Sequence, residues 1–140
     1  MGCLRKKTQM RSTRYEVIFD PFAQRHFIKS FAKKYKGAWN LTSSVLKKEF
    51  EQIDLLFLKN TAETISDSKD IKVCKTEFKI AGTHESRHSS GNRCIVAVHK
   101  NTHTIHVLLV YHKNDLGGSN ETASWKNLVK ENYPEYSAIL

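Results

Sequence analysis

Lysine, arginine and histidine are spaced along this chain as they would be around a bound anion. Lys72, Lys75 and Lys79 fall on one β-rich run, Arg93 opens a second, and His112 and Lys113 close a third. Side chains alternate along a strand, so Lys75, Glu77 and Lys79 share one face. In an antiparallel meander the end of one strand lies beside the start of the next, which places His112 and Lys113 near Arg93. Histidine, with an ordinary pKa of about 6.5, takes or gives a proton near neutrality. Cations beside it can hold a phosphate and stabilise charge that builds on it. Read from spacing alone, the set is either ordinary charge at strand ends or a cationic, histidine-bearing site for an anion.

The whole chain agrees in charge. Its 140 residues carry 23 Lys and Arg against 14 Asp and Glu, a formal net charge of +9, with seven histidines besides. Such an excess points to an anionic partner: nucleic acid, an acidic protein segment or a membrane surface. The length and a 39% hydrophobic content suit one domain with one core. The longest apolar run, Val107-Leu108-Leu109-Val110-Tyr111, falls far short of the ~20 residues of a spanning helix. No membrane association is expected.

Other chemistries find little support. Cys3, Cys74 and Cys94 are odd in number and form no C-x-x-C, so a reducing, cytoplasmic setting without disulfides is expected. His84 and His88 are four apart, but in a Ser- and Gly-rich stretch. His99, His103 and His106 span a hairpin turn, where His99 and His106 could face one another across strands. No cysteine or acid completes a zinc spacing, so no metal is assigned. There is no G-x-S-x-G elbow and no glycine-rich phosphate loop, and no cofactor is expected.

The elements that must position these groups can be read in order. Residues 1–13 hold Arg5, Lys6, Lys7 and Arg11 with no apolar period, a basic flexible tail ahead of a single domain at 14–140. Tyr15–Phe19 is β-rich. Asp20-Pro21 starts a helix, with Asp as the cap and Pro at the first helical position. Ala23, Phe27, Ile28, Phe31 and Tyr35 continue it at helical spacing, with Lys33 on the exposed side. Leu46, Phe50, Ile53 and Phe57 mark a second helix, capped by Thr42 or Ser43, and the two form a hairpin. Residues 60–70 are polar and close the helical region. Runs 71–81, 93–99 and 104–112 are strands, joined by a mobile loop at 82–92 and a tight turn at 100–103. Trp125, Leu128 and Val129 mark a last helix, ended by Pro134. The fold class is α+β: a helical hairpin on one face of a mostly antiparallel four-stranded sheet, plus a C-terminal helix.

Three stretches, Phe78-Lys79-Ile80, Gly91-Asn92-Arg93-Cys94-Ile95-Val96 and the run from Ile105 to Asp115, resemble the RelE/ParE superfamily of bacterial toxin–antitoxin toxins. The element order over about 14–116 is similar as well. The resemblance implies a RelE-like fold and a ribosome-dependent endonuclease of messenger RNA, held inactive by a cognate acidic antitoxin. On it, Arg93 is the arginine that contacts the scissile phosphate. Lys79, His112 and Lys113 join it as catalytic groups, and Lys75, Lys72 and Tyr111 bind RNA. RNA can be cut by its own 2′-hydroxyl, which needs a base, cations on the phosphate and an acid for the leaving oxygen. Two departures stand out: the family's aromatic before the arginine is missing, and the His-rich loop at 82–92 is an insertion. The other branch of the superfamily poisons DNA gyrase by binding alone, and that reading, or an RNA-binding module without chemistry, is the alternative.

Overall fold

The computed structural model describes residues 14–140; the basic segment 1–13 lies outside the described residues. The chain opens with strand β1 (Glu16–Phe19). Helix α1 follows as one run of Pro21–Ala23, a π-helical turn at Gln24–Ile28, and Lys29–Lys34. Then come α2 (Ala38–Glu51), α3 (Ile53–Leu58), β2 (Ala62–Asp67), β3 (Ile71–Phe78), β4 (Asn92–His99) and β5 (Thr104–His112). Two short 3-10 turns lead into α4 (Glu121–Asn132), and a 3-10 segment, Pro134–Ile139, ends the chain. The sheet runs β1-β5-β4-β3-β2, with β1 parallel to β5 and every other pair antiparallel. No helix among the described residues is long and apolar enough to cross a membrane.

The α+β class holds, but the sheet has five strands rather than four. The polar stretch after α3 is strand β2, paired with β3 at one edge and bulged between Thr64 and Ser66. An edge strand has one partner and wet side chains, so it carries little apolar signal, and a bulge there discourages pairing with other chains. The start of α2 also differs. Gly37, at φ +77°, turns the chain and the helix begins at Ala38. Thr42 and Ser43 lie inside it, donating back to the Ala38 and Asn40 carbonyls, and Thr42 Oγ1 also accepts from the Ala81 amide at 2.8 Å.

The helices occupy both faces of the sheet, not one. Trp39, Leu46, Phe50, Ile53 and Leu56 of the hairpin pack on Cys74, Cys94, Val96, Val98, Ile105 and Val107. Trp125, Val129, Tyr133 and Tyr136 cover the other face, on Val73, Ile95, Ala97, Leu108 and Tyr111. Strands β4 and β5 are buried at nearly every position and carry unbroken apolar runs at 94–98 and 107–111, the pattern of strands covered on both sides. Cys74 and Cys94 are buried free thiols, and burial pushes the Cys74 thiol up to about 12, which leaves it a core residue rather than a nucleophile.

Candidate functional site

Strand register sets a polar row across the face that α4 covers. Glu77 on β3 stands opposite Arg93 on β4, and Arg93 opposite Tyr111 on β5. The Arg93 side chain is only 4% exposed, and its Nη2 lies 3.1 Å from Glu77 Oε2. Its Nη1 donates to the Asn92 carbonyl at 3.0 Å, and Nη2 also donates to the His88 carbonyl at 3.3 Å. The same Glu77 oxygen is 2.7 Å from His88 Nδ1, whose ring is 83% exposed. One carboxylate oxygen therefore ties a buried guanidinium to a solvent-facing imidazole.

Lys79, exposed just past the end of β3, lines a cleft of about 550 Å³ with Asn60, Thr61, Glu77, Ser86, Arg87 and His88. The loop bearing His88, read from sequence as mobile, is anchored at two points and braced within itself. Arg87 makes a two-pronged bond to Glu49 of α2, at 2.6 and 3.2 Å. Ser90 Oγ donates to the Phe78 carbonyl, and Ser86 and Ser89 bond to each other. These bonds hold the histidine over the strand end.

Beside this row lies a second network. Tyr111, buried, donates from its hydroxyl to Glu121 Oε2 at 2.6 Å, and Lys75 Nζ reaches the same oxygen at 3.0 Å. Burial and the Glu121 carboxylate both push the Tyr111 hydroxyl upward, so it stays a donor. Burial alone would raise the Glu121 carboxyl, but bonds from Tyr111 and Lys75 outweigh it and hold it below the usual range. Glu121 sits in the first turn of α4, where a negative charge also suits the helix end.

The structure brings Arg93, Lys79, Lys75 and Tyr111 to one face, joined by Glu77, His88 and Glu121. It does not bring His112 to Arg93. The adjoining strand ends pair Asn92 with His112, and alternation turns the Arg93 and His112 side chains to opposite faces. The His112 ring packs against Gly91, where an added Cβ would sit 2.5 Å from its Nε2, and its Nδ1 accepts from the Asn114 amide. Lys113 is exposed at the start of a 3-10 turn, its amide bonded to the Gly91 carbonyl. Lys72 is also on the other face, its ammonium 3.7 Å from the centre of the Phe57 ring. Glu77 could have been found from its place between Lys75 and Lys79. His88 stood out in the sequence only by its spacing from His84, which does not lead to Glu77, and for Glu121 no local signal existed.

A separate polar chain ties β1, β4, β5 and the C-terminus together. Asp20, read from sequence as a helix cap, makes no side-chain cap bond and instead sits 3.0 Å from His106 Nδ1. The His106 and His99 rings are 4.6 Å apart, and His99 Nε2 lies 2.8 Å from the Tyr136 hydroxyl. Among the described residues, no group of three or more His, Cys, Asp or Glu is placed to hold a metal. Acidification is expected to weaken the fold through His99. Burial and the neighbouring His106 lower its pKa, so the folded chain binds fewer protons here than the unfolded chain. This contribution is complete above the unfolded value of about 6.5 and is lost as pH falls through it toward the lowered folded value. Urea midpoints should drop between about pH 7.5 and about pH 5.5, and His99→Gln should remove most of that drop. Glu121, held low, responds only below its unfolded value of about 4.5.

No protein-family model, curated protein or solved structure gives a significant match to this chain.

Proposed function

We propose that this chain is a metal-independent endoribonuclease acting on messenger RNA, the RelE-like toxin of a toxin–antitoxin pair, with an acidic antitoxin as its partner and the translating ribosome as the place of action. The observation that carries the reading is the Glu77 oxygen shared by buried Arg93 and exposed His88 at the rim of a cleft that also holds Lys79. Arg93 positions Glu77. Glu77 holds His88 by Nδ1 and stabilises the imidazolium that forms, which leaves Nε2 to take the proton of an RNA 2′-hydroxyl. The 2′-oxygen bonds to phosphorus, and the bond from phosphorus to the 5′-oxygen breaks. Lys79 neutralises the phosphate and gives the leaving 5′-oxygen its proton. The products are a 2′,3′-cyclic phosphate and a 5′-hydroxyl. DNA, without the 2′-hydroxyl, is spared.

The test is a translated message carrying a single 2′-deoxy nucleotide at a mapped cut. Cleavage is expected to vanish at that position and persist at others; cutting that continues there overturns the mechanism. The ParE-like reading, a binder of DNA gyrase without catalysis, has its own support. Arg93 finds all its partners inside the protein, and Lys75 is paired to Glu121, so two of the cations assigned to phosphate are already engaged. A chain that cuts no RNA but inhibits purified gyrase would establish it.

A further inference from the structure

The cleft that holds Lys79 and His88 has more groups on its walls than phosphate cleavage uses, and most of them are already engaged. Thr61 Oγ1 donates to the Leu56 carbonyl at 3.1 Å, and Ser86 and Ser89 bond to each other. Glu77 is shared by Arg93 and His88. Both Nη nitrogens of Arg87 are held by Glu49. Asn60 is different. It is exposed on the wall of the cleft, and among the described residues nothing bonds its amide side chain. Its backbone sits at φ +57°, just past the end of α3, with its N–H on the Phe57 carbonyl at 3.2 Å. A left-handed residue is a usual helix stop, and glycine meets that need with less strain. The stop accounts for the backbone and leaves the amide without a task in the fold.

We infer that Asn60 and Arg87 form a base subsite in this cleft, which selects adenine in the RNA strand beside the phosphate that His88 and Lys79 act on. The inference rests on the cleavage reading for where the strand lies, and it adds what the strand must contain. A side-chain amide sets a hydrogen-bond donor beside an acceptor. Adenine offers the matching pair on both of its ring edges, N6 with N1 and N6 with N7. The N7 edge of guanine carries two acceptors, N7 and O6, which leaves the amide oxygen unpaired. An unstacked base also needs a surface to lie on, and an arginine plane serves in place of an aromatic ring. Arg87 supplies one. Its fork to Glu49 fixes the guanidinium, and the side chain is still 30% exposed. A two-ring purine covers more of that plane than a pyrimidine does. The cleft, at about 550 Å³, lies within the usual range of small-ligand sites.

The probes are fluorescein-labelled pentanucleotides of 2′-O-methyl uridine with A, G, C or U at the centre, titrated with the full chain and followed by anisotropy. Without a free 2′-hydroxyl they cannot be cut, so binding is read apart from cleavage. The adenine probe is expected to bind at least about fivefold more tightly than the uridine probe, with guanine and cytosine weaker than adenine. Asn60→Gly keeps the left-handed turn and removes only the amide, so its urea midpoint should stay close to the parent's. It should bring adenine to within about twofold of uridine. Asn60→Asp accepts but cannot donate, and should reverse the order of adenine and cytosine, a change that a merely loosened loop does not produce. Arg87→Lys keeps the charge and loses the plane, and should weaken the two purine probes more than the uridine probe. A parent chain that favours adenine among the probes but cuts no message overturns the cleavage reading and leaves the subsite standing. A chain that cuts the message but binds the four probes alike or not at all, or an Asn60→Gly chain that keeps the preference, overturns the subsite.

Discussion

Arg93→Ala is expected to lower the free energy of unfolding by about 3 kcal/mol, the low end for breaking a buried charge pair. The guanidinium is almost wholly buried, and its loss strands the Asn92 and His88 carbonyls as well as Glu77. Glu77 is about a third exposed, so water recovers part of what the carboxylate loses. Arg93→Lys keeps the charge but cannot reach Glu77 and both the Asn92 and His88 carbonyls at once, and should cost about half as much. Urea unfolding followed by circular dichroism measures both. The order matters for any activity assay, because Arg93→Ala loses function in part by loosening the strand end that holds Glu77 and His88. A variant that unfolds at the parent's urea concentration would show that Arg93 is free to serve a phosphate instead.

His88→Ala is the complementary case, with a large effect on rate and a small one on stability. General acid–base groups contribute roughly 10²–10⁴-fold, and cleavage should fall within that range. The ring is mostly exposed, so stability should change by less than about 0.5 kcal/mol. Glu77→Gln should fall in the same direction, since a neutral amide cannot stabilise the imidazolium. Lys33→Ala, on an exposed turn of α1, should leave the rate alone. His112→Ala should do little to it as well, because that ring packs on Gly91 behind the strand that carries Arg93. Primer extension on a translated message reads all four. If His88→Ala cuts as fast as the parent while His112→Ala does not, the site belongs on the opposite face of the sheet.

Much of this protein could be read from local signals, because they act over a few residues. Asp20-Pro21 announced α1, Pro134 the end of α4, and 104–112 the bounds of β5, each through backbone preference or an apolar run. The β4 and β5 runs also held a message that alternation arguments pass over: with unbroken apolar stretches at 94–98 and 107–111, they need cover on both faces. Which element supplies that cover is a long-range question, and α4 answers it from beyond the last strand. The site was legible only in part. Lys75, Glu77 and Lys79 share a face by simple alternation, and Arg93 joins them through register. The same alternation removes His112, since a pairing one residue off turns a side chain to the other face. Asp20 shows the limit most clearly. Its type and position suit a helix cap, yet its carboxylate goes to His106, 86 residues away. A cap bond is worth about 1 kcal/mol, whereas a half-buried histidine beside an unpaired carboxylate costs more than that. Chain-local preference ranks the options for such a group, and tertiary packing, by deciding which partner is desolvated beside it, makes the choice.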